Sequence, residues 1–198
     1  MSIAEKLQTV ADNQQKVYDA GKQAEYDAFW DELQQKGKRR NYWGAFASWT
    51  DEIFKPKYPI VATTTKSMFY LSTITQVPTV DFSGGNYAIE NTFDYASSIV
   101  TIEKIIMKAD GTQKINQGFN SCRNLANILF EGSIGASISF EDCPLLSKAS
   151  VENIVDVLLD TATGKTVTFN KTAVNAAFTM DEWNALVATK PNWTITLA

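Results

Sequence analysis

The side chains that could do chemistry in this chain are carboxylates and two cysteines, because the sequence contains no histidine. Without histidine, the chain lacks the usual activator of a serine or cysteine nucleophile and the commonest general base. Acids such as Glu131 with Glu141 or Asp142 remain, and glycoside hydrolysis uses a pair of carboxylates. Nothing in the sequence makes these acids converge. We therefore predict no catalytic residue and no enzyme, and a carbohydrate-active enzyme using surface carboxylates stays as an alternative.

The sequence also predicts no metal and no cofactor. Zinc sites are built from clusters of cysteine and histidine, which this composition cannot supply. The segment Gly164-Lys165-Thr166 ends like a phosphate-binding loop, but Leu159 stands where the motif needs its first glycine. Cys122 and Cys143 are predicted to be buried free thiols, and a disulfide between them stays open on geometry alone.

Length and composition favour one compact domain, with or without an appendage. The chain has 198 residues, 44% of them hydrophobic, and a net charge of -4, so it can build a core. The only basic run, residues 36–40, falls where a helix should end and where cations favour the helix dipole. We therefore expect no nucleic-acid partner.

Neither a membrane segment nor a secretory signal is predicted. No stretch reaches the roughly 20 apolar residues that cross a bilayer, and residues 1–15 lack the apolar region of a signal peptide. We expect a protein without membrane insertion that is made in a cytoplasm.

A degenerate repeat runs between Ser67 and Cys143, and stacked repeats of this kind usually form a binding surface. Its aromatic anchors are spaced by 24 and 26 residues, within the range of leucine-rich repeats. Each repeat has too little apolar surface to close a core alone, so repeats must stack. The predicted repeat core consists of Phe69, Phe93, Phe119, Leu125 and Ile128. The sequence thus predicts a short leucine-rich-repeat solenoid with a parallel sheet over residues 63–145.

Residues 37–62 are rich in aromatic side chains and precede this solenoid. Phe46 lies 23 residues before Phe69, which fits a degenerate first repeat. We interpret the segment as an N-terminal cap or degenerate repeat, with an aromatic ligand box as the alternative. The dipeptide Asp110-Gly111, within the repeats, is typical of a hairpin turn.

Residues 1–36 are predicted to form an N-terminal helical stalk. A heptad rhythm gives a narrow seam suited to self-association, with a polar residue that could fix its register. The seam residues are Ile3, Leu7, Val10, Gln14 and Val17. After Gly21 the apolar stripe broadens over Tyr26, Phe29, Trp30 and Leu33. We predict a dimer or trimer through this helix, and a helix packed wholly on its own chain is the alternative.

The tail, residues 146–198, is predicted to be an α/β cap. Ser150 is typical of an N-cap, and a strand should follow at residues 166–169. Thr179 and Glu182 have capping-box spacing ahead of another helix, and a last strand begins at Trp193. A right-handed crossover would make the two strands parallel. We expect this cap to protect the edge of the repeat sheet.

Several segments, in order, carry a resemblance to one known group. They are NSCRNLANI at residues 120–128, the following segment at 130–158, and KTAVNAAFTMDEWNALVATKPNWTITLA at 171–198, together with the opening segments at 3–31 and 41–58. These resemble the BspA-type leucine-rich-repeat proteins carried by phages and prophages of gut Gram-positive bacteria. The resemblance implies a mixed α/β fold and a non-enzymatic, phage-encoded protein, as a virion fibre, tail or decoration component.

These expectations combine into one hypothesis about function. The chain should be a structural or adhesive protein that self-associates through its first helix and binds a partner or host surface through its repeats. The resemblance implies localisation in a virion that is assembled in the host cytoplasm. Other virion proteins or a bacterial surface glycan or protein are the further expected partners. A monomeric binder of a bacterial glycan or protein remains as an alternative.

Overall fold

The computed structural model describes residues 3–50 and 54–198, and in the first helix it describes the side chains of residues 8, 9 and 12 onward. Over these residues the fold is mixed α/β, with four helices and short parallel strands in several sheets and no closed barrel. The chain divides into two compact units. The helix unit contains the chain up to Arg39 together with Pro56–Tyr58, and the stacked unit contains the remainder.

The helix unit is built on α1, Ile3–Leu33. Its surface carries glutamine-to-aspartate hydrogen bonds at a spacing of four residues, Gln8–Asp12, Gln15–Asp19 and Gln23–Asp27, with lengths of 2.7–2.9 Å. Such pairs stabilise an exposed helix. Every side chain from residue 12 to residue 25 is exposed, so this part of α1 depends on local interactions for its stability within the chain.

The end of α1 is held by the short segment Pro56–Tyr58. The Gln34 side chain donates to the Tyr58 carbonyl and accepts from the Tyr58 amide, both at 3.0 Å. Asp31 accepts hydrogen bonds from the Tyr58 hydroxyl and the Lys57 ammonium, and these bonds hold the pKa of Asp31 below its usual value. Trp30 is buried and meets Phe29 edge to face.

The predicted self-association seam lies in the first half of α1. The side chains of Ile3, Leu7 and Val10 are outside those that the structure describes. Gln14 is exposed, and Val17 is 74% exposed. The dimer or trimer therefore stays a prediction.

The stacked unit contains ten strands and three further helices among the described residues. The strands are β1 Ile60–Val61, β2 Gln76–Val77, β3 Val80–Asp81, β4 Tyr87–Glu90, β5 Thr101–Ile106, β6 Lys114–Asn116, β7 Asn127–Glu131, β8 Ile138–Phe140, β9 Lys165–Phe169 and β10 Trp193–Leu197. The helices are α2 Lys148–Asp156, α3 Lys171–Ala177 and α4 Met180–Ala188. These strands form three sheets, and all strand pairings are parallel. In the first sheet β1, β3, β5 and β7 pair in that order, and β2 also pairs with β5. The second sheet is β4 with β6, and the third is β8, β9 and β10 in that order.

A column of phenylalanine rings forms the core of the stacked unit. It consists of Phe46, Phe69, Phe93, Phe119, Phe140 and Phe169, with successive ring centroids 5.5, 5.3, 5.4, 4.8 and 6.0 Å apart. All six rings are buried, and so are the predicted core residues Leu125 and Ile128. Stacked rings at these distances add to the free energy gained by burial. We call each segment around one of these rings a repeat and name it by its phenylalanine.

Helix α2 lies against the edge strand β7. The amide of Ile128 donates to the Ser150 hydroxyl at 2.9 Å, and the amide of Phe130 donates to Asn153 Oδ1 at 2.7 Å. Asn153 Nδ2 returns a hydrogen bond to the Phe130 carbonyl at 3.2 Å, so one side chain replaces a neighbouring strand. The N-cap of α2 is Ser147 and not Ser150, which lies in the first turn. The prediction was wrong because the position three residues earlier also holds a serine.

The tail confirms most of the predicted elements. Strands β9 and β10 are parallel and in register from Lys165 opposite Trp193. Helix α4 begins at a complete capping box between Thr179 and Glu182. The ion pair of Glu182 with Lys148, at 2.7 Å, and the capping bonds lower the pKa of Glu182 to about 2.

One prediction about a turn was wrong. Asp110 and Gly111 do not join a hairpin, because the strands before and after them, β5 and β6, lie in different sheets and pair in parallel with other strands. Elsewhere, Gly84, Gly85 and Gly135 allow close approach of neighbouring backbone. A Cβ at Gly85 would lie 2.5 Å from the Thr63 carbonyl oxygen.

Candidate binding groove

The repeats differ in the backbone conformation that flanks the phenylalanine, and two conformations occur. In the Phe46, Phe69, Phe93 and Phe119 repeats, the residues two before and two after the ring have positive φ. They are Gly44 and Ser48, Ser67 and Leu71, Asn91 and Tyr95, and Gln117 and Ser121. In the Phe140 and Phe169 repeats the residues before the ring are instead extended, in strands β8 and β9, and the residues two after the ring have no positive φ. The change of form therefore falls between the Phe119 repeat and the Phe140 repeat.

The hydrogen-bond ladder between repeats is interrupted at this change. The amides of Phe46, Phe69 and Phe93 donate to the next repeat, to carbonyl oxygens of Met68, Thr92 and Gly118, at 2.8–3.0 Å. Within the described chain, the equivalent amide of Phe119 donates to no acceptor, and neither does that of Gln117. An extended β8 cannot match the alternating backbone of the Phe119 repeat, so the bonds are lost although the rings remain stacked.

A groove with a volume of about 310 Å³ opens at the interruption. It is lined by Ile115, Gln117, Gly118, Asn120, Ser137, Ile138, Ser139, Glu141, Thr166 and Thr168. Its polar lining consists of hydroxyl and amide groups with one carboxylate, from Glu141. The groove thus offers many neutral hydrogen-bonding groups and no basic side chain.

A flat array of hydroxyl groups continues from this groove across the third sheet. We call it the hydroxyl face, and it consists of Ser137, Ser139, Thr166, Thr168, Thr194 and Thr196. Val167 and Phe169, which alternate with the threonines of β9, are buried. The pairing register places Ser139 beside Thr168, and Thr168 beside Thr196. The two threonine hydroxyls are 3.0 Å apart and share a hydrogen bond.

Another cavity, of about 610 Å³, lies on a different sheet of the stacked unit. Its lining includes Phe54, Gln76, Pro78 and Glu103. The Glu103 carboxylate already accepts the amide of Thr79 at 2.9 Å. One oxygen of this acid is therefore already engaged, and the interrupted ladder makes the smaller groove the better candidate.

The acids singled out from the sequence have different surroundings in the fold. Glu131 lies in β7 and pairs with Lys104 at 3.0 Å, and Asp142 accepts the Ser121 amide at 2.8 Å. Of the predicted acids, only Glu141 lines the groove. No group of three or more metal-binding side chains occurs among the residues described.

The cysteines are buried and unbonded to each other. Cys122 and Cys143 are both free thiols, and their sulfur atoms approach the carbonyls of Phe93 and Phe119. Burial raises the pKa of each thiol. Because a thiolate is the reactive form, neither cysteine is poised as a nucleophile.

Sequence reasoning missed the groove and the hydroxyl face. A usable signal was present, since Ser-Ile-Ser at 137–139, Thr-Val-Thr at 166–168 and Thr-Ile-Thr at 194–196 share one alternating pattern. Their separations of 29 and 28 residues resemble the repeat spacing. The interruption of the ladder had no such signal, because it depends on the backbone form of two neighbouring repeats.

Comparison with known proteins identifies no relative of this chain. No protein family, curated protein or solved structure matches this chain. Among the helices of the described residues, none is long and apolar enough to cross a bilayer.

Proposed function

We propose that this chain is a non-enzymatic, phage-type adhesive or structural protein. Its stacked unit would be a leucine-rich-repeat solenoid, its first helix would join copies of the chain, and its repeat surface would bind a host surface or another virion protein. The single observation behind this proposal is the hydroxyl face, in which exposed or half-exposed polar side chains line up across three successive parallel strands. A polar strip that crosses repeats is the surface that a repeat protein uses for binding.

The repeat stacking supports the solenoid interpretation. Parallel pairs such as Val80 with Ile105, and Ile102 with Ile128, link segments about one repeat apart in sequence. Helix α2 and its Asn153 side chain satisfy the edge strand β7, as expected for the cap of such a stack. The resemblance to BspA-type proteins, seen in the sequence, favours the same architecture and the phage context.

The enzymatic alternative has less support. A glycoside hydrolase of the common type needs two carboxyl groups about 5 to 10 Å apart around the bound sugar. The groove presents only Glu141. Of the other acids considered, Glu131 pairs with Lys104 across β7 and β5, and Asp142 accepts the Ser121 amide, so both are already engaged.

The exposed part of α1 supports self-association. Val17 is 74% exposed and Tyr18 is 61% exposed, and both lie on a helix whose described side chains are exposed from residue 12 to residue 25. Apolar side chains gain free energy when another copy covers them. A monomeric binder of a glycan or protein remains the second candidate, and it requires no association through α1.

The test combines adhesion with oligomeric state. We would label the full chain and a chain that begins at Lys22, measure binding of each to whole gut Gram-positive cells, and determine both masses by light scattering after size exclusion. We expect the full chain to adhere as a dimer or trimer and the shorter chain to be a monomer with weaker adhesion, because association multiplies binding sites. Adhesion by a full chain that is itself monomeric would favour the second candidate. Absence of adhesion to any cells tested would contradict the proposal.

A further inference from the structure

We propose that the groove binds one sugar residue of a neutral glycan, and that the hydroxyl face holds adjoining residues of the same glycan. This inference rests on the proposed adhesive function and specifies the chemistry of the bound surface. It is carried by the interrupted ladder, the lining of the groove and the arrangement of the hydroxyl groups.

The first observation is a pair of backbone donors at the groove, the amide of Gln117, which lines it, and the amide of Phe119, which lies between the lining residues Gly118 and Asn120. Phe119 is only 2% exposed, and its amide has no acceptor in the described chain, whereas the equivalent amide of Phe93 donates to the Gly118 carbonyl at 3.0 Å. Buried amides without a partner are rare in proteins, because each one costs free energy. The amide of Gln117 also has no acceptor in the described chain, whereas the equivalent amide of Asn91 donates to the Asn116 carbonyl at 3.1 Å. Because Gln117 lines the groove, a ligand oxygen placed there would complete the ladder.

The second observation is the charge of the lining. The groove contains side-chain amides from Gln117 and Asn120, hydroxyl groups, and a single carboxylate from Glu141. No lysine or arginine lines it, so it lacks the groups that recognise phosphate, nucleic acid or acidic sugars. Hydroxyl, amide and carboxylate groups together can donate to and accept from the many hydroxyl groups of a neutral sugar. The apolar side chains of Ile115 and Ile138 can contact its carbon face.

An extended peptide fits this groove less well. Addition of a strand to a sheet edge needs a run of free backbone groups along that edge. Here the run is short, because the next amide in the series, that of Ser121, is already bonded to Asp142 at 2.8 Å. The stacked rings of Phe119 and Phe140, at 4.8 Å, also prevent a strand from entering between the two repeats.

The third observation is the continuation of hydroxyl groups beyond the groove. Ser139, Thr168 and Thr196 form one row across the sheet, and Ser137, Thr166 and Thr194 form the other. Neighbouring strands are about 4.8 Å apart, and alternate residues of one strand are roughly 6.5 Å apart. This gives a regular surface of neutral donors and acceptors, on which a linear glycan could lie across the strands after leaving the groove.

The experiment uses the full chain and soluble polysaccharides of defined composition. The probes are a mannan, a galactan and a β-glucan as neutral glycans, alginate as an acidic one, and an unstructured peptide mixture. Binding is measured by calorimetry and by the amide signals of the ¹⁵N-labelled protein. The variants are Thr166→Val and Thr168→Val, which remove a hydroxyl and preserve shape. Thr101→Val, in β5 of the sheet that contains β1, β3 and β7, is the matched control.

We expect at least one neutral polysaccharide to bind and to shift the amide signal of Phe119, while the already bonded amide of Phe93 stays in place. Each groove variant should weaken binding by about 2- to 10-fold, the value of one hydrogen bond, and the control should not. Binding of alginate or peptide in preference to every neutral glycan would overturn the inference.

The glycan inference and the adhesive function can fail separately. If the chain adheres to cells, binds none of the neutral polysaccharides, and keeps its adhesion in both groove variants, the glycan inference is wrong and the adhesive function stands. If the chain adheres to no cells and binds no probe, both are wrong.

Discussion

Replacement of Asn153 by alanine should destabilise the protein by about 2 to 4 kcal/mol, because Asn153 takes the place of a strand at the sheet edge. Its side chain accepts the Phe130 amide at 2.7 Å and donates to the Phe130 carbonyl at 3.2 Å. Phe130 is 4% exposed, so water cannot fully replace these bonds. A buried donor or acceptor that loses its partner costs about 1–3 kcal/mol, and alanine removes the partners of two such groups.

The assay is urea unfolding at 25 °C, combined with hydrogen exchange. Glu152→Ala is the matched control, since Glu152 lies next to Asn153 on the exposed side of α2, and its free energy of unfolding should change by less than about 0.5 kcal/mol. The amide of Phe130 should exchange faster in Asn153→Ala and not in the control. A loss below about 1 kcal/mol with unchanged exchange at Phe130 would refute the account of the sheet edge.

The remaining predictions concern the column, the strained backbone and the tail. Phe119→Ala should lower the free energy of unfolding by about 3 to 5 kcal/mol in urea, because its ring is buried between two others; a loss below about 1 kcal/mol would contradict the column. Leu71→Asn should raise the free energy of unfolding by about 1 kcal/mol, because Leu71 is half exposed with φ of 57° and asparagine tolerates that backbone better. The control is Leu145→Asn, which is exposed and has no positive φ, and its free energy of unfolding should not rise. Glu182 has a folded pKa of about 2 against an ordinary 4.5, so its stabilisation of α4 should be complete above pH 4.5 and lost as the pH falls to 2. The free energies of unfolding of the protein and of Glu182→Gln, followed by fluorescence, should therefore differ less as the pH falls from 4.5 to 2. A difference that stays constant over this pH range would show that the prediction is wrong.

The sequence was informative where one residue type repeats at one spacing. Phe69, Phe93 and Phe119 could be recognised as stacked core residues because an apolar ring recurs about every 25 residues and has only one favourable place, the interior. The capping box at Thr179 could be recognised because it is a local arrangement of side chain and backbone.

Features that depend on neighbouring segments could not be predicted in the same way. Leu71 and Tyr95 have positive φ, although their side chains disfavour it, because the ladder between repeats imposes the backbone. The groove arises from the mismatch of two backbone forms, which no single segment encodes. Helix α2 was predicted as a helix, but its place beside β7 depends on side-chain bonds from Ser150 and Asn153 across 22 and 23 residues.

Adhesion of a variant with a blocked hydroxyl face tests the central claim most directly. Thr166→Lys places a long charged side chain where the groove meets the hydroxyl face. Thr101→Lys places the same side chain on β5, in the sheet that contains β1, β3 and β7. With both variants shown to be folded by circular dichroism, we predict that Thr166→Lys loses at least about 10-fold in adhesion to whole cells, because its long side chain occupies the groove that the bound partner would enter. We also predict that Thr101→Lys adheres like the unaltered protein. Equal adhesion by the two variants would contradict the claim that this face is the binding surface.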